Sequence, residues 1–198
     1  MPQAQAIYRD ALAFVDASVG KIQSPPRMVF CSTVACSNRF VFTGNGAYTV
    51  GMSGIAISHR GWAPYFARHE LIHHLQNEHL GVFGAWLGRP TWWREGMAYS
   101  LSHDERRPLP QPLEGYRADF DAWFAKTGRE RIWTAVPGAA QSPAPAKPSG
   151  ADAGLRPAPQ QPPSSKRAYQ QSKAASGRLV GMAVSSPKCN RLKSVSRG

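Results

Sequence analysis

The 198-residue chain is short of cysteine, of acidic side chains and of long apolar runs, with three Cys and 12 Asp/Glu against 24 Lys/Arg. Three cysteines exclude a Cys-rich structural metal site. Cys31 and Cys36 either form a local disulfide or stay as thiols, and Cys189 stands far from both. No stretch approaches the roughly 20 apolar residues of a membrane span. A basic start followed by an apolar core, the mark of a secretory signal, is also missing from the amino terminus. As written, the chain reads as soluble and cytoplasmic by default, and as exported if a signal precedes it.

Aromatic residues are almost absent from the second part of the chain. All six Trp and all six His precede residue 134, whereas residues 134–198 are rich in Pro, Ala, Ser, Gly and Gln and hold Tyr169 as their only aromatic. Such a segment cannot bury a core, so the composition predicts one domain over residues 1–133 and a disordered tail over 134–198. The charge divides at the same place. Residues 1–133 carry 14 Lys/Arg and 11 Asp/Glu, and residues 134–198 carry 10 and 1. The tail is therefore suited to weak, nonspecific contact with polyanions, but no stacking aromatics are interleaved with its charges as a single-strand binding surface requires.

What the first 133 residues do contain is a helix with chemistry on it. In FARHELIHHLQNEHLG, His69, Glu70 and His73 spell HExxH. Two imidazoles at i and i+4 lie about 40° apart around the axis and about 6 Å apart along it, so both can reach one metal ion. Glu70 stands beside them as a base that need not be a ligand. Phe66, Leu71, Ile72 and Leu75 give the helix an apolar face, Pro64 suits its first turn and Gly81 its end, which predicts a helix over about residues 63–80.

A catalytic zinc keeps three protein ligands and an open position, so a third donor is needed. One candidate is Glu95 in RPTWWREGMAYSLS, where Thr91 can cap a helix and Gly96 removes a side chain where two helices approach. The other is His79, at the last position of the longer HExxHxxGxxH pattern of the metzincins, whose Met-containing turn Met97, Ala98 and Tyr99 also suggest. Gln76 occupies the place where that pattern needs a helix-breaking Gly. The helix then continues, and His79 falls about 9 Å along the axis from His73 and roughly 120° off the ligand face. Geometry favours Glu95.

HELIHHLQ followed by P-T-W-W-R-E-G-M-A resembles the gluzincin branch of the zincin metallopeptidases, in particular the bacterial peptidase MA-like group, which pairs HExxH with a downstream W-x-x-E-G-x-A helix. The likeness covers about residues 40–105. It implies His69, His73 and Glu95 as zinc ligands and Glu70 as the general base that activates metal-bound water for hydrolysis of peptide bonds in a peptide or protein substrate. Some gluzincins place an Asp four residues after the ligand Glu, where this chain has Tyr99. The zincin fold it implies is α+β: a small twisted sheet over the HExxH helix and a second, Glu-bearing helix, with an edge strand that pairs with extended substrate.

For the oxyanion, Tyr99 and His103 follow Glu95 at helical spacing and rank ahead of Tyr116 and Arg94. Arg94 and Arg68 otherwise offset nearby carboxylates or lie in solvent. Strands are expected within PRMVFCST (residues 26–33), then at 39–43 and 47–50 about a Gly44-Asn45-Gly46 turn, and at 55–58. Packing helices are expected at about residues 4–19, through Ile7, Ala11, Phe14 and Val15, and at 119–125, through Phe120, Trp123 and Phe124. Two other classes compete with a zinc peptidase: a catalytically inert zincin-like binding module, and a basic nucleic-acid-associated protein whose HExxH is incidental.

Overall fold

A computed structural model of the chain describes residues 2–40, 44–142 and 189–192. The architecture is mixed α and β. Helix α1 (Pro2–Ser18) buries Ala4, Ile7, Tyr8, Ala11 and Val15, residues at i, i+3, i+4, i+7 and i+11 that form one apolar stripe. Tyr8 donates its hydroxyl to the Pro26 carbonyl at 2.6 Å, which ties α1 to the entry of strand β1 (Met28–Cys31).

Of the strand expected at residues 39–43, only Arg39 and Phe40 are described, and they form the end of a helix and its cap. Val34–Arg39 is instead a short helix, α2, and residues 41–43 lie outside the described residues. Two local features favour α2. Thr33 caps α2 by accepting a hydrogen bond from the Cys36 amide at 3.1 Å, and a Cys31–Cys36 disulfide folds the chain back onto the end of β1. Strands β2 (Ala47–Val50) and β3 (Gly54–Ile57) do form, as an antiparallel pair. β3 lies parallel to β1, and Cys189–Leu192, as β4, pairs antiparallel with the other side of β1. The sheet order is β2-β3-β1-β4, with β2 at one edge.

β4 comes from the segment read as a disordered tail, so that reading fails for these four residues. It also begins too early. Val136 packs on the core, and the carbonyls of Pro137 and Gln141 accept hydrogen bonds from Arg89 and the Trp92 indole, so the folded unit runs past residue 133. Residues 143–188 and 193–198, with most of the basic charge assigned to the tail, lie outside the described residues.

Helix α3 (Pro64–Leu80) is central and packs against α1, β2, β3 and the two helices that follow it. Pro64 opens it and Gly81 ends it at φ +71°, a conformation that favours glycine. A short α4 (Val82–Trp86) leads to α5 (Thr91–Leu101). There Pro90 takes the capping position, so Thr91 opens α5 without capping it. α6 (Leu113–Thr127) is longer than the expected 119–125 segment.

Gly96 is the close-approach residue between α5 and α6: a Cβ there would meet the Tyr116 carbonyl oxygen at 2.2 Å and Phe120 Cβ at 2.6 Å. Tyr8, Phe30, Ile57, Leu71, Leu75, Trp93, Met97 and Phe120 are fully buried in one continuous core that these elements share. Among the described residues no helix is long and apolar enough to cross a membrane.

Candidate metal centre

α3 and α5 cross so that His69, His73 and Glu95 face one another. The two imidazole Nε2 atoms are 3.1 Å apart, and Glu95 Oε2 lies 3.5 Å from His73 Nε2 and 3.8 Å from His69 Nε2. Ligands about 2.0–2.1 Å from a tetrahedral ion are separated by about 3.3 Å, close to these three edges. A point equidistant from the three atoms sits about 2.0 Å from each in their plane. The donor set therefore fits a divalent ion.

Neighbouring groups hold these donors in place. His73 Nδ1 lies 2.9 Å from Gln76 Oε1, which directs the other ring nitrogen, Nε2, toward the cluster. Gln76 Nε2 in turn donates to the Arg94 carbonyl at 3.0 Å, so one side chain both orients a ligand and fastens α3 to α5. Arg94 donates through Nε and Nη2 to Glu95 Oε1 at 3.3 Å, leaving Oε2 for the cluster, and stacks over Trp86. Tyr99 packs its ring edge-on against His69 at 4.5 Å.

Electrostatics show how tightly these groups are coupled. Burial, then the neighbouring His73, depress His69 to about 3. Burial works against charge on His73 too, but the Glu95 carboxylate, its hydrogen bond and Glu70 push that ring up to about 9. Burial likewise opposes charge on Glu95, yet His73, then His69 and Arg94, hold it down at about 2. Without an ion the cluster thus keeps one proton on its imidazole pair near neutrality.

An ion must displace that proton. Between about pH 5 and 8 each divalent ion taken up should release close to one proton, and affinity should climb about tenfold per pH unit until near pH 9. Calorimetry in buffers of different ionisation enthalpy measures this. Uptake without proton release would remove His73 from the ligand set.

Glu70 lies beside the cluster, buried, with its carboxyl pushed above the ordinary range by that burial, while His73 and Thr49 pull it down. Thr49 Oγ1 is 2.7 Å from Glu70 Oε2 and 2.8 Å from the Glu70 carbonyl oxygen. This geometry serves both protonation states. The hydroxyl donates to an ionised Oε2, or accepts from a protonated one while donating to the carbonyl.

Glu70 and the cluster line a cavity of about 520 Å³ together with Tyr48, Thr49, Tyr99, Arg106 and Leu109. Thus His69, Glu70, His73, Glu95 and Tyr99 share one cavity, as the sequence suggests. His103 does not join them: it is exposed, at φ +55°, with its ring edge-on to Phe14 of α1 at 4.9 Å. It falls just past the end of α5, so helical spacing from Glu95 no longer places it. Tyr116 is also absent from the cavity wall, and Arg68 pairs with Asp10 at 2.8 Å. His79 lies flat on Trp133, ring centres 3.9 Å apart, away from the cluster.

Thr49, the orienting role of Gln76, and Arg106 were not singled out from sequence. Only Gln76, three residues after His73 on a helix, was within reach of spacing arguments. No protein family, curated protein or solved structure matches this chain.

Proposed function

We propose that the chain is a zinc-dependent peptidase of the gluzincin kind, with a zincin-like domain and His69, His73 and Glu95 as the zinc ligands. The observation that carries the reading is the near-equilateral triangle of His69 Nε2, His73 Nε2 and Glu95 Oε2 with Glu70 beside it. Two imidazoles and one carboxylate at these spacings suit zinc and leave a position open.

A zinc ion bound there supplies Lewis acidity, polarising a carbonyl and lowering the pKa of water. The rest of the chemistry falls to the chain. Glu70 accepts a proton from the attacking water at its carboxylate and passes it to the leaving amine, with Thr49 matching each protonation state by hydrogen bonding. Burial and then Glu95 push the Tyr99 phenol up to about 12, so it stays a neutral donor suited to the developing oxyanion. Among the described strands β2 pairs only with β3, and its residues line the cavity, so a peptide can add along its other edge. The Cys31–Cys36 disulfide supports the exported alternative for localisation, because such bonds persist in oxidising compartments.

The test is digestion of a mixed peptide library by the zinc-loaded chain. Cleavage should stop on chelation and return with added zinc. A chain that binds one zinc and cleaves nothing would be an inert zincin-like binding module.

A further inference from the structure

The cavity contains a cation that the hydrolytic reading leaves unused. Arg106 lines it and is held from behind by Asp104, whose carboxylate is fully buried. Arg106 Nε lies 2.9 and 3.2 Å from the two Asp104 oxygens, Nη2 lies 2.5 Å from Oδ2, and the Arg106 amide donates to Oδ1 at 3.0 Å. The guanidinium also sits over the rings of Tyr65 and Phe66, 5.0 and 4.9 Å from their centres. Its orientation is therefore set by a bidentate ion pair and by two aromatic faces.

That clamp uses only one edge of the guanidinium. Among the described residues Nη1 has no hydrogen-bond partner, and 43% of the side chain remains exposed. The outer Nη1–Nη2 edge still presents two parallel donors, the geometry that matches a planar carboxylate. Charge points the same way. The charged side chains lining the cavity are Arg60, Arg106, Glu70, Glu95 and Asp104, so a divalent ion at the cluster leaves one net positive charge in it. Arg60 is exposed, with no side-chain partner among the described residues. Beside this charge Tyr65, Phe66, Leu109 and Leu113 form an apolar wall.

We propose that Arg106 is a specificity-determining residue that anchors a carboxylate of the peptide substrate through its outer edge, with the adjoining wall taking an apolar side chain. The carboxylate is either the α-carboxylate at the substrate's C-terminus or an acidic side chain. The assignment rests on the peptidase reading of the same cavity.

Binding to the zinc-loaded Glu70→Gln chain tests it without turnover. Peptides are compared as free acid and C-terminal amide, and separately with Glu or Gln at one internal position. The expected result is about tenfold tighter binding of the carboxylate member in at least one pair, the pair identifying the source. In Glu70→Gln/Arg106→Met that preference should fall below about twofold, with zinc content and circular dichroism unchanged, and Arg106→Lys should restore part of it. If the Met variant does not fold, acetate competition on the Glu70→Gln chain takes its place: acetate should weaken binding of the preferred peptide and acetamide should not. Equal binding of both members of both pairs, no binding of any peptide, a preference that survives Arg106→Met, or acetate and acetamide acting alike would each overturn the anchor. A clear preference in a chain whose parent cleaves none of these peptides would sink the peptidase reading and leave the anchor standing.

Discussion

Glu95→Ala should leave a folded chain that no longer retains zinc through dialysis, whereas His79→Ala should keep close to one ion per molecule. The carboxylate is one of the three donors that the described residues bring to the cluster, 3.5 and 3.8 Å from the two imidazoles. Losing a group that merely orients a ligand costs about 10–100-fold in metal affinity, so losing the ligand should cost more than about a hundredfold. Glu95→Gln should weaken binding in the same direction with less disturbance, since it keeps the volume and removes the charge. His79 lies flat on Trp133, and its loss should be felt in packing and not in metal content. Elemental analysis after dialysis reads the difference. Full zinc in Glu95→Ala together with loss in His79→Ala would restore the longer three-histidine pattern.

Glu70→Gln should do the opposite, keeping zinc while turnover falls by about 10²–10⁴. The amide oxygen can still accept from Thr49, and Gln fills the same volume, so the cavity keeps its shape. What disappears is the carboxylate proposed to take and return the proton. Single-turnover cleavage of a peptide that the parent hydrolyses, set beside zinc content measured on the same preparation, is the decisive pair. Undiminished turnover would move the base elsewhere, and loss of zinc would mean that Glu70 holds the cluster together.

Much of this site was legible because α3 declares itself locally. Pro64, the apolar positions and Gly81 bracket the helix, and within it the i, i+4 spacing of His69 and His73 fixes which face they share. Glu95 was within reach because a second helix carries it and Gly96 marks where that helix meets another, which is where α6 lies. Other parts turned on tertiary contacts. Thr49 is an ordinary strand residue until β2 is laid against α3, and Arg106 is an exposed loop arginine until Asp104 and two aromatic rings hold it.

Arg39 and Phe40, read as the start of a strand, show the converse. The β-rich residues that follow them favoured a strand, but the cap at Thr33 and the bridge at Cys36 turn the preceding chain into α2, which runs to Arg39. Residues 134–142 escaped notice for another reason. They dock in part through the backbone carbonyls of Pro137 and Gln141, a property composition does not record.

The three donors stand on two helices, 22 residues apart between His73 and Glu95, so an ion held by them would be tied to folding as well as to chemistry. An ion that binds the folded chain and not the unfolded one shifts the folding equilibrium by mass action, by about 4 kcal/mol when free metal is a thousand times the dissociation constant. Metal supply would then govern how long the molecule survives heat and proteolysis, so that starvation for the ion would lower the amount of protein as well as its activity.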